Sequence, residues 1–177
     1  MATEAGSYQL PDDPLLAEFA LAMRKDRSWG HVIDPERNLV YVTDEVRRTF
    51  GGGQLVDFAI GAHLFGPENT AGAQRWRFGA NSPELLRAEF GLLGGYVLAD
   101  TPGGRTELRE RVDPLFLDMI DDLEPCFAAA IAGEVGGTGL TAAVPVSTVV
   151  VRIRDDTGRL AGTATFAKPA TGMDTIS

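Results

Sequence analysis

The hydrophobic pattern of this chain alternates between a period of two and a period near four, and each change marks an expected element. Residues 1–13 read as a flexible lead. Over 14–28 a helix is expected. Asp13 stands at the capping position and Pro14 at the first helical position, while Leu15, Phe19 and Met23 recur every four and Leu16 and Ala20 widen the stripe. From Trp29 the period becomes two: Trp29, His31 and Ile33 alternate with Gly30, Val32 and Asp34, as in a half-buried strand. Pro35 to Asn38 form a polar turn, and Leu39 to Thr43 resume as a second strand. Thr43 or Asp44 then caps a short helix, with acids in its first turn and Arg47 and Arg48 near its last. Gly51 is expected to end that helix in a left-handed conformation.

The middle of the chain is less regular. LVDFAIGAHLF, residues 55–65, reads as a helix interrupted at Gly61 or as a helix followed by a strand. Gln74 to Phe78 alternate charge and aromatic side chains, which fits a packed corner better than a nucleic-acid stripe. Ser82-Pro83-Glu84 is a helix start, Leu85, Leu86, Phe90 and Leu93 follow at helical spacing, and Gly94-Gly95 is the expected stop. A three-and-four spacing then runs from Leu108 through Phe116, Ile120 and Phe127 to Ile131. It implies a helix restarted at Pro114 and kinked or restarted at Pro125. GEVGGTG, residues 133–139, reads as a flexible connection. At the far end Val149, Val151 and Ile153 alternate with Val150, Arg152 and Arg154. Asp155 to Gly158 make a turn and Leu160 to Ala167 return, a β-hairpin signal.

Two of these stretches carry a family likeness. Asp34 and Tyr41 match a "D-x-x-G-x-I-x-Y-x-N" pattern, with Asn38 near the place of its turn glycine and Thr43 at its final Asn. Asp155, Gly158 and Gly162 fit a closing "D-x-x-G-x-x-x-G". On these residues the chain resembles a PAS domain, a sensor fold, over 29–51 and 146–168. The resemblance implies an α+β fold, a PAS-like antiparallel sheet covered by an enlarged set of helices. The sensor domain would span 29–168, behind the N-terminal helix, and a linker to a C-terminal output domain would start within 169–177. RRTFGG, FGPE, WRFGAN and LADTPGGR further resemble the N-terminal regulatory region of actinobacterial adenylate/guanylate (class III) cyclases. That likeness implies cyclic nucleotide signalling by an attached domain, the chain itself being no enzyme. In this family a helix ahead of the core often joins a dimer interface, so a homodimer is implied; packing on its own domain is the equal alternative.

Charge and composition narrow the partners. The 177 residues carry a formal net charge of −9, which excludes a polyanionic partner: nucleic acid and anionic membrane surfaces need a basic face. No run approaches the ~18 apolar residues of a membrane span, and Glu4 stands where a signal peptide carries basic residues. A single cysteine, Cys126, makes no internal disulfide, and a cytoplasmic location is expected.

Catalytic constellations are not evident, since two histidines, His31 and His63, leave little for acid–base work. Asp118, Asp121, Asp122 and Glu124 read as the acidic face of a helix rather than a cation site or the metal-binding strand of a cyclase. Candidate ligand-binding residues are the inward set of the first hairpin and the aromatic residues of the middle: Trp29, His31, Ile33, Tyr41, His63, Phe65, Trp76, Phe78, Phe90 and Tyr96. An apolar or aromatic small molecule between sheet and helices is the ligand they imply. The resemblance admits haem through His63 or His31, and Cys126 lies outside the Asn-Cys-Arg motif of flavin photosensors. Two readings compete with sensing: an interaction module with a filled core, and a small α+β enzyme with an apolar cavity.

Overall fold

Strand β1 (Trp29–Ile33) and strand β2 (Leu39–Val42) pair antiparallel, with Val32 opposite Tyr41. Asp34 builds the turn between them, its carboxylate accepting from the N–H groups of Glu36 at 2.9 Å and Asn38 at 2.8 Å. The left-handed position is Arg37, with φ 64°, which counted from Asp34 is the place of the pattern's glycine, one residue before Asn38. The computed structural model describes residues 8–128, 130–135 and 144–169. Strands β3 (Ala130–Val135), β4 (Val144–Arg154) and β5 (Leu160–Pro169) complete an antiparallel sheet in the order β2-β1-β5-β4-β3. The two hairpins seen in the sequence therefore join along β1 and β5, where His31 lies opposite Thr165 and Ile33 opposite Thr163.

Helix α1 (Pro14–Lys25) covers the outer face of this sheet. Asp13 caps it by accepting from Leu15 and Leu16 N–H, and Leu16, Ala20 and Met23 are its buried stripe. They meet Val32, Tyr41, Ile153 and Ala164. Helix α1 thus packs on its own sheet, the alternative the dimer-helix reading left open. The inner face carries α2 (Asp44–Phe50), α3 (Pro67–Gly72), α4 (Ser82–Ala99), α5 (Gly104–Arg111) and a 3-10 helix over Pro114–Asp122. The result is an α+β fold with one apolar core on each side of the sheet.

Several expectations for the middle are corrected. Helix α4 does not stop at Gly94-Gly95 but runs through to Ala99. Both glycines serve close packing instead: a Cβ on Gly95 would meet the Glu124 carbonyl at 2.5 Å, and one on Gly94 the Leu123 side chain at 3.0 Å. Gly51 has φ −89°, and the left-handed residues are Gly52 and Gly53 beyond it. Residues 55–65 form neither helix nor an extended strand. Their backbone bonds sideways, Leu39 donating to Ala62 and Gly61 to Leu39, so the helical ladder is never made. The helical spacing from Leu108 to Ile131 covers α5 and the 3-10 helix and then fails. Leu123 to Ala128 are irregular, Phe127 is 70% exposed, and Ile131 belongs to β3. Gly133 to Val135 are likewise strand, while 136–139 of the expected flexible connection, and 170–177 of the expected linker, lie outside the described residues.

Candidate functional site

The candidate site is the space between the sheet's inner face and α4. Register fixes its floor. Across three strands, His31, Thr165 and Val150 form one row, and Ile33, Thr163 and Arg152 form the next. The roof is one face of α4, where Leu93, Tyr96 and Val97 recur at three-and-four spacing, with Asp100 just past its end and Leu64 beside them. Between floor and roof lies a cavity of about 10 Å³, room for a single water-sized molecule.

The ten sequence candidates divide sharply. His31, Ile33 and Tyr96 line the cavity. Tyr41 lies in the other core, beneath α1, its hydroxyl accepting from Arg24 at 3.1 Å. Trp29, Trp76 and Phe78 pack around Phe50, with ring centroids 5.9, 4.4 and 5.7 Å away, and Trp29 Nε1–H donates to Thr49 at 3.1 Å. Phe65 and Phe90 form a second aromatic group with Phe116, its centroids 4.7 to 5.5 Å apart. The rings of both groups thus pack on one another, and each such pair adds about 0.5–1.5 kcal/mol beyond burial. His63 is buried away from the cavity, on the irregular segment, with its Nδ1 accepting from Phe65 N–H at 3.2 Å. Its proton therefore sits on Nε2.

Both histidines are held neutral. Burial pushes His31 down to about 4, and burial with the nearby Arg111 and Arg37 guanidiniums pushes His63 to about 4. His31 Nε2 is buried with no hydrogen-bond partner among the described residues. Haem does not fit this arrangement: a cavity of about 10 Å³ takes no porphyrin, and neither histidine stands on a helix facing one.

One end of the site is locked by charge. Asp100, the residue that follows α4, accepts from Arg152 Nε at 3.0 and 3.1 Å, and the two side chains are only 14% and 13% exposed. Arg152 also donates to the Cys126 carbonyl at 3.0 Å and lies over the Tyr96 ring, while the Tyr96 hydroxyl donates to Ala128 at 2.6 Å. Burial raises the Tyr96 phenol to about 12. From the other side Arg37 donates to the Asp100 carbonyl at 2.7 Å and to Glu107 at 3.1 Å. These pairs fasten the first turn, α4, α5 and β4 to one another.

Sequence reading missed Thr163, Thr165, Asp100 and Arg152. The threonines were legible in principle, since Thr163 and Thr165 alternate with Gly162 and Ala164 on the strand that pairs with β1. The Asp100–Arg152 pair spans 52 positions and leaves no local signal. Two acidic residues of the 3-10 helix face guanidiniums, Asp118 pairing with Arg87 at 2.7 Å and Asp121 with Arg109. Among the described residues no group of three or more metal-ligating side chains converges, and no helix is long and apolar enough to cross a membrane. Cys126 is half-buried, and its N–H donates to Gly95 at 2.9 Å. Fold and site together define an α+β domain with a narrow cavity between sheet and α4 and a largely buried Asp100–Arg152 pair at its end. No family model matches the chain, and no curated protein or solved structure matches it.

Proposed function

We propose that this chain is a PAS-like regulatory module that works through protein contact around a filled core. In a longer parent it would bias an attached signalling output, for which the cyclase-like passages favour a nucleotide cyclase. The observation that carries the reading is the size of the cavity between the sheet's inner face and α4, about 10 Å³. Small-molecule sites take roughly 300–1,000 Å³. The aromatic residues expected to bind a ligand contact one another instead. The sheet supports the PAS-like part: an opening and a closing hairpin share one antiparallel sheet, and the helices are inserted between them.

The contact surface is the outer face of the sheet beside α1. Val149 is 36% exposed and lies opposite Phe166, and Phe166, Val151 and Phe19 are half-buried. Such an apolar strip suits a second copy of the chain, the homodimer the resemblance implies. Light scattering on the purified chain across a dilution series, with native and denaturing mass spectrometry, tests both claims. The expected result is a concentration-dependent dimer of unliganded chains, reverted to monomer by Val149→Asp with the melting temperature little changed. An apolar molecule retained in the native mass at one per chain would overturn the filled-core reading. A monomer at the highest soluble concentration would overturn the self-contact.

A further inference from the structure

One end of the sheet carries a second feature, an open groove of about 790 Å³. The lead into α1, the β1–β2 turn and the start of β5 converge on it, with Ile60 and Asp100 at its sides. Leu10, Leu16, Val40 and Leu160 give it an apolar lining, and Ile60 is 43% exposed there. Its charge is one-sided. Five carboxylates, Asp12, Asp13, Asp34, Glu36 and Asp100, stand against Arg37 and Arg159. Both guanidiniums already face acids from outside the groove, Arg37 with Glu107 at 3.1 Å and Arg159 with Asp155 at 3.3 Å. Asp100 is held by Arg152, and the other four acids leave the rim net negative, with Asp12, Asp13 and Glu36 exposed.

We propose that this groove docks a cationic, amphipathic peptide segment of a partner protein. Apolar side chains of such a segment would cover the lining, and flanking lysines or arginines would face the acidic rim. Charge decides against the other occupants. Two copies of this chain joined here would oppose two acidic rims. The chain's own residues 1–7, MATEAGS, hold Glu4 and no lysine or arginine. The inference stands whether or not the core accepts a ligand, because the lining residues Ile60, Leu10 and Leu160 lie outside the interior cavity.

The full chain, with isotope-labelled methyl groups, is titrated with an amphipathic peptide of alternating leucine and lysine blocks and with its leucine–glutamate counterpart. The lysine peptide is expected to shift the Ile60, Leu10 and Leu160 methyl signals and to bind more weakly as salt rises. Reversing the rim with Asp12→Lys and Glu36→Lys is expected to weaken it about tenfold or more, since rim charge governs capture. The same two reversals at exposed Glu110 and Glu124, outside the groove, should leave affinity nearly unchanged. Ile60→Asp probes the apolar lining separately and should also weaken binding. Equal losses in both double variants would reduce the effect to the chain's general negative charge and overturn the proposal. Equal binding of the glutamate peptide, shifts centred elsewhere, or no binding would overturn it as well.

Discussion

At the scale of single residues, Glu89 is a titratable group that belongs to neither the cavity nor the groove. It sits half-buried on α4, and burial raises its carboxyl from 4.5 to about 7. The folded state holds that proton more tightly than the unfolded chain. Burial of the charge therefore costs nothing below pH 4.5, and the cost grows until the pH passes about 7. Glu89→Gln removes the titration. Its stability relative to the parent is expected to be level near pH 4 and to rise above pH 7 by about 1–3 kcal/mol, the residual exposure keeping it under the full linkage value. Urea unfolding at several pH values measures the difference. A difference that stays flat with pH would mean the carboxyl is solvated. The buried histidines give the parent the opposite slope: lowered to about 4, His31 and His63 lose stability as pH falls from their unfolded value near 6.5. Only the variant-minus-parent difference isolates Glu89.

At the scale of elements, the informative case is the glycines of α4. Gly94-Gly95 reads as a stop because glycine is a poor helix former, and it was placed there for packing. The same side chain absence serves both purposes, so sequence alone could not separate them. A paired substitution does. Gly95→Ala brings a Cβ to 2.5 Å from the Glu124 carbonyl and is expected to destabilise by about 1–3 kcal/mol. Gly91→Ala, exposed and with its nearest neighbour at 3.7 Å, should gain up to about 1 kcal/mol from helix propensity. Thermal melts of the two variants moving in the same direction would contradict the packing role. The hairpins were legible because their signals are local: alternation over Trp29 to Ile33, an aspartate turn at Asp34 and another at Asp155. Residues 55–65 and β3 were not. The first is fixed by backbone bonds to Leu39, and the second pairs Ala130–Val135 with a strand beyond the next connection. The site followed the same rule. His31 and Ile33 were found from strand parity, and Asp100 was missed because its partner is remote in sequence.

The whole molecule offers two contact regions, and α1 touches both. Its residue Leu16 lines the acidic groove and also packs in the outer core with Met23 and Val32. Val149, in the exposed strip, stands six positions along β4 from the Asp155 turn beside the groove, ~20 Å by strand rise. Two accounts of the molecule follow from this layout. If α1 is a rigid cover, the regions act separately, and distant substitutions add. If α1 shifts on the sheet when either region is engaged, they are coupled, and each partner changes the affinity of the other by the same factor. The packing favours the rigid cover. Leu16, Ala20 and Met23 are at most 2% exposed, and Gly30 and Gly162 let the helix side chains come within touching distance of the sheet backbone. Combining Val149→Asp with the Asp12→Lys and Glu36→Lys reversal should therefore remove self-association and peptide capture independently. The expected coupling is below ~0.5 kcal/mol in a double-mutant cycle on peptide affinity. A coupling above ~1 kcal/mol would identify α1 as the element whose two positions link them.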